Sequence, residues 1–347
     1  MSAPLTEAPI IEARGLSKRF VKSLDLAGRI AAALGSDQRE ETVHAVDSVS
    51  LAIRRGEVVG LVGESGCGKS TLGRMVAGLM VPTEGAVLFE GRDRTALDAD
   101  GAKAARLSVQ MIFQDPSASL NPRARVESIV GEAPVAHGLI APKQRRAYVA
   151  EMLDRVGLDP GMMRRYPHQF SGGQRARIGI ARALAVRPRV LICDEAIAAL
   201  DVSIQAQVIN LFMDLRKAFD LTYLFISHDL GVVRHISDRV VIMYLGRIIE
   251  IAPTAVLFAT PRHPYSQALL AEMPRVTTSR RTFHPVKGEI PSPLAPPTGC
   301  HFHPRCPYVV PRCSLEQPML REAATGQFVA CHLASLEQSA APICAPP

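Results

Sequence analysis

At 347 residues the chain has room for about two domains of roughly 150 residues each, and its 47% hydrophobic and 21% charged content is that of a globular protein, which excludes disorder as a description of the whole. Forty Lys and Arg against 33 Asp and Glu leave a net charge of +7, a balance that suits a phosphate-bearing partner, nucleic acid or a membrane face, or a solvated basic surface with no partner, without choosing among them. The absence of Trp and the 5% aromatic content argue against a sheet that stacks single-stranded nucleic acid.

In chain order, residues 9–20 read as a short strand and a turn. Residues 21–42 form a polar insert with a helical patch at 26–34 that Gly28 weakens. Residues 43–53 alternate apolar and polar, as a half-buried strand does, and 54–57 make a turn. The run Val58–Val62 is continuously apolar, which fits a strand buried on both faces. A glycine-rich loop then opens a helix expected to continue through Leu79. Further strands are expected at 109–113, 190–193, 222–226 and 239–244, with helices near 126–138, 143–156, 172–186, 204–219 and 229–236. Strands alternating with helices predict an α/β fold, a parallel sheet covered on both faces. After about Pro274 the composition shifts. Prolines 285, 291, 293, 296 and 297 mark an extended connection, followed by a tail rich in cysteine and proline with little periodicity.

No uncharged stretch provides the ~18 apolar residues of a membrane span. The longest, 290–304, is broken by prolines, and residues 1–14 lack a charged-then-apolar leader. The expectation is therefore a cytosolic chain whose seven cysteines are thiols or metal ligands rather than disulfides.

Two segments carry chemistry on their own. The first, Gly63-Glu64-Ser65-Gly66-Cys67-Gly68-Lys69-Ser70, matches the phosphate-binding loop G-x-x-x-x-G-K-S between an apolar strand and a helix. Its glycines let successive backbone N–H groups turn toward an anion, and the helix start adds its positive end. In such a loop Lys69 reaches the β- and γ-phosphates, the Ser70 hydroxyl ligates Mg²⁺, and Thr71 follows in the first helical turn. The second is Val190-Leu191-Ile192-Cys193-Asp194-Glu195, four apolar residues followed by two acids. A buried strand ending in carboxylates sets them at the edge of the sheet where α/β ligands bind. There Asp194 can serve the Mg²⁺ shell, and Glu195 can orient or deprotonate a water in line with the γ-phosphate.

About twenty residues before Asp194 lies Phe170-Ser171-Gly172-Gly173-Gln174-Arg175, which resembles the signature motif of ABC transporter ATPases. Ser171 and the two glycines start a helix and so make a second anion-binding terminus. The resemblance implies that Ser171, Gly172, Gly173 and Gln174 serve the nucleotide of a paired subunit bound head to tail. It further implies that Gln114 senses Mg²⁺ and faces membrane subunits, that Asp201 belongs to a loop crossing the dimer interface, and that His228 is the switch histidine at the γ-phosphate. Phe20, closing the first strand, is the expected adenine-stacking aromatic, against a plain core role.

The segments 113–123 (Phe-Gln-Asp-Pro-x-Ala-Ser-Leu-Asn-Pro-Arg), Arg262-His263-Pro264-Tyr265, 288–293 (Gly-Glu-Ile-Pro-Ser-Pro) and Gly299-Cys300-x-Phe302-x-x-Arg305-Cys306 resemble the ATP-binding subunits of oligopeptide/dipeptide importers, the second of their two ATPase types. The implied fold is an ABC-type phosphate-loop ATPase core at 8–260, with a helical subdomain near 115–185 and a small cysteine-rich C-terminal extension at 261–347. The implied activity is ATP hydrolysis driving peptide import from the cytoplasmic face of the inner membrane. Implied partners are a second ABC ATPase, expected to be a paralogue, two membrane permeases and, indirectly, an extracytoplasmic peptide-binding protein, with no nucleic acid. Related branches take nickel, glutathione or opines. A soluble non-transport ABC ATPase and a regulatory subunit with little hydrolysis are the readings from other classes. Two departures from the family pattern stand out, Ala196 in place of the usual proline and Ala198-Ala199 in place of Ser-Ala.

In the tail, Cys300, Cys306, Cys313 and Cys331 are spaced unlike the Cys-x-x-Cys of zinc sites, yet four thiols in a segment poor in apolar residues point to a ligated centre, with buried free thiols as the alternative. The family resemblance adds an expected [4Fe-4S] cluster held by the four thiolates within 299–332, with zinc as second choice. Cys67 and Cys193 read as small buried residues, and Cys344 as unliganded.

Overall fold

The computed structural model describes residues 8–22, 41–115, 119–273 and 288–334. The helical patch expected at 26–34, residues 116–118 of the 113–123 segment, Pro285 and Cys344 lie outside them.

The strands are β1 (Ile11–Lys22), β2 (Glu41–Ile53), β3 (Val58–Val62), β4 (Glu84–Phe89), β5 (Arg92–Asp93), β6 (Val109–Ile112), β7 (Val190–Asp194), β8 (Thr222–Ile226), β9 (Arg239–Tyr244), β10 (Arg247–Pro253), β11 (Arg321–Ala324) and β12 (Gln327–Val329). The helices are α1 (Lys69–Ala77), α2 (Ala99–Ser108), α3 (Val126–Ala136), α4 (Arg145–Arg155), α5 (Gly172–Leu184), α6 (Val202–Phe219), α7 (Leu230–Ile236), α8 (Thr254–Ala259), α9 (Pro264–Ala271) and α10 (Pro311–Leu315).

β3, β7 and β8 are buried along their whole length, which is why their sequences run apolar without alternation. They are three adjacent interior strands of an eight-stranded sheet in the order β11-β12-β10-β9-β3-β8-β7-β6. The pairs β9/β3, β3/β8, β8/β7 and β7/β6 are parallel, as the alternation of strands and helices predicted. β10, β12 and β11 extend this sheet antiparallel. A second sheet, β2-β1-β4-β5, is antiparallel. Apolar side chains of both sheets enclose α1, with Leu72 and Val76 fully buried. On the other face, α3, α4 and α5 pack as a helical unit against the core that includes Phe212, Tyr223 and Phe225.

Several expectations are corrected. α1 stops at Ala77, because Gly78 adopts φ 74° and its N–H returns to the carbonyls of Arg74 and Met75, a left-handed C-terminal cap. β4 and α2 carry too short an apolar pattern to be read from sequence. The tail is also more ordered than its composition implies. It contains α10 and the β11/β12 hairpin, and Phe328 and Val329 pair with Ile251 and Glu250 of β10. The cysteine segment is thereby stitched to the main sheet.

Candidate functional site

The C-terminal ends of β3, β6, β7 and β8 converge at one edge of the parallel sheet, the edge where α/β proteins bind ligands. The phosphate loop follows β3. Gly63 and Gly68 are required by close approach, since a Cβ at Gly63 would sit 2.1 Å from the Met243 carbonyl and one at Gly68 2.0 Å from the Ala45 carbonyl. Gly68, at φ 102°, starts α1 with no side chain in the way of an anion. Gly66, at φ 79°, makes the turn between them.

Lys69 is 4% exposed, and its Nζ donates to the Gly63 and Glu64 carbonyls at 2.8 and 2.9 Å. The ammonium is thus held against the loop's own backbone. Ser70 Oγ donates to Asp194 Oδ1 at 2.7 Å, joining the start of α1 to the end of β7. Burial pushes the Asp194 carboxyl above its ordinary range, and the Ser70 hydrogen bond and nearby Arg74 pull it partly back.

Glu195 stands in the left-handed region, φ 47°, a conformation that costs a non-glycine residue about 1–3 kcal/mol and is kept where surrounding structure imposes it. Its N–H is held by the Ile226 carbonyl at 3.0 Å. The turn separates the two neighbouring carboxylates. Asp194 faces Ser70, whereas Glu195 accepts from Gln114 Nε2 at 2.7 Å and lies 3.5 Å from His228 Nδ1. Ser70, Gln114 and His228, scattered in sequence, are therefore gathered by direct contacts onto the adjacent Asp194 and Glu195 in two groups, Ser70–Asp194 and Gln114–Glu195–His228.

Ser171 caps α5, its hydroxyl accepting from the Gln174 N–H at 3.3 Å while the Gln174 side chain accepts from the Ser171 N–H at 3.0 Å. A Cβ on Gly173 would lie 2.5 Å from Ile204 Cγ2 in the first turn of α6, so glycine is needed for these two helices to approach. Asp201 is exposed at the start of α6. Phe20 is 40% exposed with Lys18 Nζ 5.4 Å from its ring centre, a wet aromatic face rather than a core residue. Ala196 is buried and Ala198 exposed.

Sequence reasoning missed two residues that hold the phosphate loop. Tyr265 Oη accepts from the Glu64 N–H at 3.0 Å, and Arg305 forks onto the Glu64 carboxylate at 2.9 to 3.2 Å. They lie 201 and 241 residues from Glu64 along the chain, so spacing carries no signal for them.

Cys300, Cys306 and Cys331 are each influenced electrostatically by others of the four tail cysteines, which places the set in one neighbourhood. Burial pushes the Cys300 and Cys306 thiols up to about 11, and raises that of Cys331. Among the described residues, however, no three His, Cys, Asp or Glu side chains converge closely enough to hold a metal ion. The packing of the described residues therefore gives neither the [4Fe-4S] expectation nor the zinc expectation a ready ligand set. Cys67 and Cys193 are buried free thiols, as expected. Among the described residues no helix is long and apolar enough to cross a membrane.

A phosphate loop, a capped second anion-binding helix and a carboxylate–glutamine–histidine group at the sheet edge define a nucleotide-binding ATPase. The family model for ABC transporters matches residues 46–198, and that for the oligopeptide/dipeptide transporter C-terminal region matches 249–313. Over 298 residues the chain is 54% identical to the oligopeptide transport ATP-binding protein AppF of Bacillus subtilis, covering 84% of this chain and 90% of that one. It is 46% identical to a putative peptide import ATP-binding protein of Brucella ovis, over 94% and 98% of the two chains. In solved structures, cbiO1 of Clostridium perfringens, described as part of the ABC transporter complex cbiONQ, superposes with a TM-score of 0.59 at 29% identity, over 73% of this chain and 92% of that one. The ATP-binding cassette MJ0796, in a dimeric post-hydrolysis state with ADP and Pi, gives 0.59 at 27%, over 70% and 98%. The chain belongs to the ABC transporter family, in the branch of oligopeptide and peptide import ATP-binding proteins.

Proposed function

We propose that this chain is the ATP-hydrolysing subunit of an ABC importer of oligopeptides or dipeptides, working on the cytoplasmic face of the membrane. The observation that carries the reading is the joined set Ser70–Asp194 and Gln114–Glu195–His228 beside an intact phosphate loop. In this reading the loop amides and Lys69 bind the phosphates, Lys69 exchanging its two carbonyl partners for the β- and γ-phosphate oxygens. Ser70, Gln114 and Asp194 bear the oxygens that would hold Mg²⁺, and the Ser70–Asp194 contact fits a shared ion. When bound, the ion supplies neutralisation of charge on the β- and γ-phosphates.

Glu195 orients the attacking water and takes up its proton, while Gln114 and His228 fix the carboxylate from two sides. His228 also contacts the γ-phosphate. Phe20 stacks on the adenine. The 171–174 cap and Asp201 serve the partner's nucleotide across a head-to-tail dimer. Closure of that dimer moves the two permeases through the 115–185 helical unit, and hydrolysis reopens it. The partners are a second ABC ATPase, a paralogue, two permeases and indirectly an extracytoplasmic peptide-binding protein.

The same reading keeps 8–260 as the ATPase domain and 261–347 as a C-terminal extension carrying a [4Fe-4S] cluster. Its support is the gathering of four half-buried or buried thiols. Cys300, Cys306, Cys313 and Cys331 are the residues that would hold such a cluster, as thiolates. The assignment is tested by iron, acid-labile sulfide and zinc content of anaerobically purified protein. About four iron and four sulfide per chain are expected, and their absence refutes the cluster.

The transport reading is tested in vesicles holding the assembled complex. ATP-dependent peptide uptake that Lys69→Ala abolishes is the expected result, and ATP hydrolysis without coupled uptake of any peptide would refute it.

A further inference from the structure

The phosphate loop is gripped from the C-terminal segment along two routes. The direct route ends on Glu64. The Arg305 guanidinium, 7% exposed, forks onto the Glu64 carboxylate, and its Nη1 also donates to Tyr244 Oη at 3.3 Å. Tyr265 accepts the Glu64 N–H. Tyr244, Tyr265 and Phe302 pack against one another with ring centres 4.8 to 5.5 Å apart, so Arg305 and the Tyr265 hydroxyl are fixed by one aromatic cluster.

The second route passes under the loop. The Gly246 N–H donates to the Cys67 carbonyl at 3.0 Å. The turn that carries Gly246, between β9 and β10, is itself held by the C-terminal segment. His301 Nδ1 donates to the Leu245 carbonyl at 2.9 Å, and Arg247 Nη1 to the Gly299 carbonyl at 3.3 Å. None of these groups touches the Ser70–Asp194 or Glu195–His228 contacts.

We propose that Arg305 and Tyr265 are positioning residues for nucleotide binding, which clamp Glu64 so that the phosphate loop keeps its anion-binding shape before ATP arrives. A loop whose first turn is fixed in advance loses little freedom on binding, whereas a loosened one must be ordered at that moment. Affinity therefore depends on the clamp, while the hydrolytic step, carried by the ends of β7 and β8, does not. The fork favours arginine, because lysine offers a point charge where two parallel N–H···O bonds are made. The proposal rests on the nucleotide reading of the loop.

The test is titration of the full chain with Mg·ATP by calorimetry, alongside steady-state ATPase of the assembled complex. Arg305→Gln is expected to raise Kd and KM for ATP about tenfold with kcat within twofold, and Arg305→Lys and Tyr265→Phe to raise them about threefold. Glu64→Gln combined with Arg305→Gln is expected to bind no more weakly than either alone, because the two residues act through one contact. Should Arg305→Gln not fold, Tyr265→Phe and Arg305→Lys carry the test. A purely structural role would lower the melting temperature and kcat at unchanged Kd, and that result, or additive losses in the double variant, overturns the proposal. Lys69→Ala separates the two levels. If it binds ATP as the wild type does, the nucleotide reading fails. If it loses binding while every clamp variant keeps it, the clamp alone fails.

Discussion

The ATP edge and the C-terminal cysteine segment are both places where polar groups gather on an apolar frame, but they are assembled in opposite ways. At the ATP edge, Gln114, Asp194, Glu195 and His228 sit within two residues of a strand end and Lys69 and Ser70 open the helix after the phosphate loop, so the sheet and its first helix supply the geometry and a short motif marks each position. The C-terminal segment has no such frame of its own. It is placed by Phe302 among two tyrosines, by Arg305 on Glu64, by His301 on the Leu245 carbonyl and by Gln327 on the buried Glu250. The first kind of site is built from local sequence and the second from contacts that span tens to hundreds of residues.

The largest effect that would break this contrast is chemical. Glu195→Gln should lower ATP hydrolysis by roughly 10²–10⁴-fold while the variant still binds Mg·ATP, as measured by steady-state turnover and titration, because in the proposed reaction only the proton acceptor is lost. A hydrolysis rate close to wild type would remove Glu195 from the reaction.

Phe302→Ala probes the other region. Deleting a fully buried ring should cost about 3–5 kcal/mol and free the segment for limited proteolysis near residue 300, while the Ser70–Asp194 edge stays folded. Simultaneous loss of both regions would show that they are one cooperative unit.

A smaller effect is read from pH. His263 is buried and accepts the Tyr265 N–H on Nδ1, while Nε2 has no hydrogen-bond partner among the described residues. Burial depresses its folded value to about 3, so its stabilisation is complete above 6.5 and is lost as pH falls toward 3. Glu250, raised by burial, acts in the opposite sense nearer its ordinary range. Thermal melts should therefore begin to decline just below pH 6.5, and His263→Asn should flatten that upper part of the acid limb. The smallest effect concerns the two family departures. Ala196→Pro with Ala198→Ser should speed hydrolysis by no more than a few-fold, and an unchanged rate would show that the departures are silent.

Much of the fold could be read in advance because the parallel strands are short apolar runs that end in chemistry. β3, β8 and β9 fall on the expected residues, and β7 runs one residue further, to Asp194. That Ser70 meets Asp194, and Gln114 and His228 meet Glu195, was legible for the same reason. What could not be read depends on non-local pairing. β12 is three residues long and becomes a strand by pairing with β11 on one side and with the distant β10 on the other. The role of Arg305 needs Glu64 beside it, and no periodicity in the tail announces that. The positive φ of Glu195 is equally silent in sequence, since glutamate is a rare occupant of that region.

The pairing of β12 with β10 also has a consequence for synthesis. While the ribosome is still short of residue 327, β10 presents an unpaired backbone edge, and the Glu250 carboxylate lacks the Gln327 amide that meets it at 2.8 Å. The ATP-binding half can be complete while the adjoining edge still invites pairing with a neighbouring chain. Emergence of residues 327–329 closes that edge, and the new outer strand, β11, is four residues long and opens with Arg321 and Glu322, a short charged border that discourages stacking between newly made copies.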